Sequence, residues 1–200
     1  MSSKQTSLFS KTLIKSRRDF LTRAGVATFS ASAIALLAGC SSKSAMAAAH
    51  ANSTNNMQQD IRILNTAIGA EHEAVAAYQL GAESGLLVPG VLKVAVKFQG
   101  HHKQHIDALS AAVRKLGGNP ADAKSHYDFP VEQLKAQQDV LEFAAGLERG
   151  AMSAYAGAIP IFDNRELSAA AASILADEAM HWAVLRSALK LDPVPSAFFS

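Results

Sequence analysis

From residue 57 onward, apolar residues recur at steps of three and four, and no run alternates convincingly with period two. That spacing restricts the chain to helices that bury one stripe each. The first is expected over 57–83. The second opens at Pro89, a favourable first-turn residue, and closes at Gly117-Gly118. The third follows Asp128-Phe129-Pro130 and ends where Pro160 forbids continuation. The fourth opens at Asp163-Asn164-Arg165-Glu166, which has the form of a capping box, and runs to about 191, before Pro193. Helices of roughly 27 residues are ~40 Å long. Four of them, joined by mostly short connections, predict an all-α fold, an antiparallel four-helix bundle. The longest connection, 117–130, either crosses an end of the bundle or lies along it.

Each stripe is interrupted near its middle by a carboxylate or an imidazole. The first runs Ile61, Leu64, Ile68, Glu71, Val75, Tyr78, and the second carries His102 and His105 between Phe98 and Leu109. The third, headed by Leu134, carries Glu148 between Ala145 and Met152, with Tyr155 further on; the fourth places Glu178 and His181 between Ile174 and Leu185. The interruptions repeat. Glu71 and Tyr78 recur 77 residues later as Glu148 and Tyr155, and the positions of His102 and His105 recur 76 residues later as Glu178 and His181. GAEHEAVAAY (69–78) aligns with GLERGAMSAY (146–155), so the chain reads as a duplicated helix pair.

An uncompensated carboxylate in a bundle core is costly and must be paired, hydrogen-bonded or bound to metal. Six such groups, Glu71, His102, His105, Glu148, Glu178 and His181, fall at similar depth, and no Lys or Arg lies on the stripes to neutralise them. Residues three apart face the same way, so His102/His105 and Glu178/His181 can each present two ligands. Carboxylate oxygen with imidazole nitrogen suits iron, manganese or zinc. The opposing reading is a metal-free bundle whose polar core is satisfied internally. Tyr78 and Tyr155 are either hydrogen-bond donors to the carboxylates or ordinary core residues. His101, one step round from His102, is expected at the surface, as are His50, His72, Glu73 and His126; Trp182 reads as a packing or interface residue.

The N-terminus reads as a separate module. Arg17-Arg18 precede the uncharged AGVATFSASAIALLAG (24–39), which is too short and too rich in small residues to span a bilayer. That order resembles a twin-arginine export signal over residues 1–39. Cleavage has two readings. LAGC (37–40) resembles a lipoprotein box that would lipidate Cys40, the only cysteine; AMA (45–47) suits ordinary signal peptidase. Residues 40–56 read as a flexible linker, 57–192 as the bundle and 193–200 as a tail. Export places the protein in the periplasm or on the outer face of a membrane, tethered there if lipidated. Six of the 19 Lys and Arg but one of the 17 Asp and Glu precede residue 40, leaving the remainder at a net charge of −3. Nucleic-acid binding therefore has no electrostatic support.

One Glu from each of two helices with a Glu-x-x-His from each of the other two resembles the ferritin-like di-iron or di-manganese carboxylate proteins, and among them exported ferritin-like domains of unassigned function. The resemblance spans about 57–191. Glu71, Glu148, Glu178, His181 and His105 match the pattern; His102 stands where the family has a glutamate that usually bridges both metals. The resemblance implies a dinuclear iron or manganese centre reacting with oxygen or peroxide, in ferroxidase, peroxidase or catalase-like chemistry, and a possible homodimer. The His102 departure keeps a mononuclear site, with zinc as the alternative, in play. A second class of function is metal binding or a structural role at the envelope without turnover.

Overall fold

The computed structural model describes the backbone of residues 42–198 and the side chains from residue 52. Residues 1–39, with the expected export signal, and Cys40 lie outside the described residues, as does the side chain of His50. Four α-helices carry the described fold: α1 (Ser42–Glu83), α2 (Pro89–Lys115), α3 (Gln137–Ala158) and α4 (Arg165–Ala188). Short 3₁₀ turns at Val131–Gln133 and Ile159–Ile161 precede and follow α3. No described helix is long and apolar enough to cross a membrane.

Three boundaries differ from the sequence expectation. Residues 42–56, read as a flexible linker, continue α1 without a break. The Ala-rich stretch 46–51 has high helix propensity and no Gly or Pro interrupts it before Gly69, so nothing local stops the helix. The third helix begins at Gln137, not after Pro130, and Leu134 lies outside it. There the Asp139 carboxylate accepts from the N–H groups of Lys135 and Ala136, which fixes the true start. In α4 the cap is Asn164, whose side chain accepts from the Glu166 N–H at 2.8 Å, and the helix ends at Ala188.

Two apolar layers divide the interior. One gathers Ile61, Leu64, Ile68, Leu109, Val113, Leu167 and Ile174, from the middle of α1, the end of α2 and the start of α4. The other gathers Phe98, Leu141, Ala145 and Leu185, from the start of α2, the start of α3 and the end of α4. Thus α1 and α2 run antiparallel, as do α3 and α4, while α2 and α3 start at the same end. The connection between α2 and α3 must therefore travel the length of the bundle. Gly117 opens it at φ +78°, a conformation that disfavours a side chain, and a Cβ on Gly118 would stand 3.0 Å from Ile61 and Val113. Asn65 of α1 then holds the strap from both sides, donating to the Asn119 carbonyl at 3.0 Å and accepting from the Ala121 N–H at 2.8 Å. At the far end Phe129 meets the ring of Phe143 on α3.

The duplication is visible in three dimensions. Buried Asp60, in the middle of α1, accepts the N–H groups of Asp163 and Asn164 at 3.0 and 3.1 Å, anchoring the start of α4. At the opposite end Gln137, 77 residues later, accepts the Val88 N–H at 2.9 Å and anchors the start of α2. The two contacts are related by a pseudo-twofold that exchanges α1 with α3 and α2 with α4.

Candidate metal centre

Between the two apolar layers, all six predicted polar residues meet. Glu71, His102, Glu148, Glu178 and His181 are at most 3% exposed, and the His105 side chain is 12% exposed. They arrive there because each sits at the midpoint of its helix stripe, so the packing that buries Leu64 and Ile68 on one side and Phe98 and Leu141 on the other also buries them.

The arrangement resolves into two overlapping groups of four. Glu71, His102, His105 and Glu178 offer ligand atoms within 4.8 Å of one another, and so do His102, Glu148, Glu178 and His181. In the first, His102 Nδ1 lies 2.8 Å and His105 Nδ1 3.3 Å from Glu71 Oε2. In the second, His181 Nδ1 and His102 Nε2 each lie 3.4 Å from Glu148 Oε1. Glu178 spans the pair: its Oε1 is 3.2 Å from His105 Nδ1 and its Oε2 3.6 Å from His181 Nδ1. His102 belongs to both groups by its two ring edges, but a neutral imidazole has one lone pair to offer and so serves one ion at a time.

The tyrosines are donors, and they reach across the bundle. Tyr78 Oη donates to Glu148, not to its own helix's Glu71, and Tyr155 Oη donates to Glu71 Oε1 at 2.6 Å. Each carboxylate is thereby held from the opposite helix pair. Outside them, Asp177 Oδ2 lies 3.3 Å from Nε2 of both His105 and His181, turning Nδ1 of each ring inward.

Electrostatics follow from burial and pairing. Burial works against ionisation of Glu71, yet hydrogen bonds from His102 and His105 bring its carboxyl down to about 2. Glu148 is likewise lowered, His102 and His181 overcoming its burial. Burial also opposes protonation of His102, but Glu148 and Glu71 raise it to about 10; Glu178 and Glu71 raise His105 to about 9 against the same opposition. Glu178 moves up, by burial first and then by the nearby Glu148. Protons thus neutralise this cluster when nothing else does.

They do not satisfy it. Among the described residues, Glu148 Oε2, both oxygens of Glu178 and His181 Nδ1 are buried without a hydrogen-bond partner; the His105 Nδ1–Glu178 Oε1 approach is short enough for an ion pair but misdirected for a hydrogen bond. Four orphaned atoms pointing into one small volume are costly unless a cation occupies it. Divalent iron, manganese or zinc accepts this donor set, so the residues present fit a metal. On the α1–α3 side a cavity of about 580 Å³ reaches Glu71, His102 and Glu148 between walls of small residues such as Ala70 and Gly150.

His101 is a correction. Expected at the surface, it is half-buried, with Nδ1 3.1 Å from Asp177 Oδ2 and 2.9 Å from His181 Nε2. Asp177 joins the cluster although it lies off the apolar stripe of α4. The signal was present, because His101 and Asp177 are also 76 residues apart, but their different types hide the repeat. His72 and Glu73 are half-buried instead of exposed, and Glu73 lines the cavity. His126 is exposed as expected, and Trp182 packs on the second apolar layer with the Arg186 guanidinium 4.7 Å from its ring centre.

Among solved structures, a conserved hypothetical protein from Mycobacterium tuberculosis is 20% identical with a TM-score of 0.62, the match covering 72% of this chain and 99% of that one. A protein from Bacillus anthracis described as ferritin-like and diiron-carboxylate is also 20% identical, with a TM-score of 0.59 over 67% of this chain and 97% of its own. A Dps mutant from Listeria innocua is similar at 12% identity, a TM-score of 0.57, and coverage of 68% and 96%. No curated protein matches the sequence. The ferritin-like domain family matches residues 59–191, the stretch that carries the two ligand groups, and the chain belongs to that family.

Proposed function

We propose that this is an exported ferritin-like metalloprotein that holds a dinuclear iron or manganese centre and reacts with oxygen or peroxide, as a ferroxidase, peroxidase or catalase-like protein. The observation that carries the reading is the convergence of two overlapping ligand tetrads on four buried, unpartnered atoms. A bound iron or manganese pair would supply the redox equivalents. Glu71, His105, Glu148 and His181 would hold one ion or the other, Glu178 would span both, and His102 would complete one of them. Tyr78 and Tyr155 orient the two flanking carboxylates, and Asp177 keeps His105 and His181 in the tautomer that presents Nδ1. The apolar cavity supports access by a small uncharged molecule from the α1–α3 side. Export by the twin-arginine route, with Cys40 as a lipid anchor to a membrane surface, belongs to the same proposal and fits a protein metallated before it crosses.

His102 favours a second reading. With an imidazole in place of a bridging carboxylate the centre has three carboxylates, and a single ion, zinc included, held without turnover suits that charge better than it suits four. Elemental analysis of the purified full chain beside Glu178→Ala and His181→Ala tests both. About two iron or manganese per chain, lost in both variants, supports the dinuclear reading and leads to oxygen and peroxide assays. One zinc supports metal binding without redox turnover. Absence of metal even after reconstitution refutes both.

A further inference from the structure

Five of the six central groups are at most 3% exposed, so an ion must lose its water and pass the shell of residues around them to reach them. On the α2–α4 side, opposite the apolar cavity, that shell is polar. The side chains of His101 and Asp177 are 28% and 22% exposed, and behind them His181 turns its Nε2 edge outward. His101 Nδ1, Asp177 Oδ2 and His181 Nε2 are 3.1, 2.9 and 3.3 Å apart, taken as His101–Asp177, His101–His181 and Asp177–His181. Asp177 Oδ2 is also 3.3 Å from His105 Nε2. A four-coordinate ion with nitrogen and oxygen ligands at ordinary bond lengths sets its ligand atoms about 3.3 Å apart. The trio is close to that spacing, and solvent can supply the fourth position.

We infer that His101, Asp177 and the outer edge of His181 form a second, solvent-facing site for one divalent transition-metal ion, through which metal is loaded into the buried centre. His181 makes the two sites alternate. Its single lone pair lies on Nε2 when the ion is outside, with the ring proton on Nδ1. When the ion moves in to Nδ1, the proton moves to Nε2 and is donated to Asp177, and the outer site loses one of its three ligands. The outer site thus binds while the inner one is unfilled and releases as it fills. The loading role rests on the metal centre proposed above; the outer site itself does not.

The test uses the full chain stripped with chelator and titrated with Co²⁺, followed by visible absorption and equilibrium dialysis. In Glu71→Gln/Glu148→Gln, which cripples the buried centre, a Co²⁺ ion should still bind, and adding His101→Gln should weaken it by about 10-fold or more. In an otherwise unaltered chain, His101→Gln should leave the final metal content unchanged while slowing its uptake by about 10-fold. His101 is half-exposed, so this variant should fold, as circular dichroism would verify. If the double variant does not fold, histidine NMR signals of the unaltered chain at substoichiometric Co²⁺ replace it, and His101 should broaden before His102. Unchanged Co²⁺ affinity and uptake rate in His101→Gln, or His102 broadening first, overturns the inference. His101-dependent binding in a chain that never fills the buried centre would sustain the outer site and refute the proposed function; a centre that fills at an unaltered rate would do the reverse.

Discussion

The two halves of the bundle, α1–α2 and α3–α4, make the same contacts with different residues, and the differences are concentrated at two positions. Reciprocal contacts recur faithfully: Tyr78 to Glu148 and Tyr155 to Glu71, Asp60 to the start of α4 and Gln137 to the start of α2. Yet His102 of one half faces Glu178 of the other across the centre, and His101 stands where the second half has Asp177. The scaffold that orients the candidate ligands is symmetric, whereas the groups that link or surround the two tetrads are not. Symmetry is thus a property of holding the site, and asymmetry a property of its chemistry.

The sharpest way to break that comparison is to exchange the odd pair. Glu178→Ala removes the one carboxylate common to both tetrads and should abolish retention of either ion, whereas His102→Ala should weaken one ion by about 10- to 100-fold, both read by elemental analysis and metal titration. His102→Glu restores a carboxylate to the first half and should tighten the second ion by about 10-fold. Removing a tyrosine hydroxyl tests the symmetric part. Tyr78→Phe and Tyr155→Phe each take the donor from a buried carboxylate and should destabilise the protein by about 1–3 kcal/mol, equally within error, in urea denaturation.

A pH series sharpens the contrast between protons and metal. In metal-stripped protein His102 and His105 are raised to about 10 and 9, from an ordinary value near 6.5. Their contribution to stability is therefore complete below about 6.5, declines above it, and is gone once pH has risen through 9 and 10. Urea midpoints of stripped protein should fall across that window, while metal affinity rises across it because binding displaces the same protons. The smallest effect belongs to the anchors. Asp60→Ala leaves two backbone N–H groups at the start of α4 and should cost about 1–2 kcal/mol; Gln137→Ala removes a single acceptor from Val88 and should cost about 0.5 kcal/mol.

Much of this was legible in the residues alone. Period and depth together identified the six central groups, because a helix stripe cannot carry a Glu or His at its midpoint without burying it. What period cannot say is which helix lies opposite. Tyr78 shares a face with Glu71, yet the pseudo-twofold sends its hydroxyl to Glu148. His101 and Asp177 were missed for a related reason: each lies beside the stripe, and only the approach of α2 to α4 turns that flank into a shell around His181. The path of the α2–α3 strap was undecided because it depends on Asn65, a polar residue with no local signature of that role. The start of α1 was missed by reading Ser and Asn as linker where Ala-rich helix continues through them.

The crossed Tyr–Glu pairs bear on how the molecule assembles. Each helical hairpin could form from local contacts alone, but Glu71 would then be buried without the hydroxyl that only α3 supplies, and Glu148 without the one that only α1 supplies. Neither half can therefore reach its final packing before the other arrives. Folding is thereby coupled across the strap: the first half alone lacks Glu178 and the second alone lacks His102, so a half-built bundle completes neither tetrad and cannot capture metal prematurely.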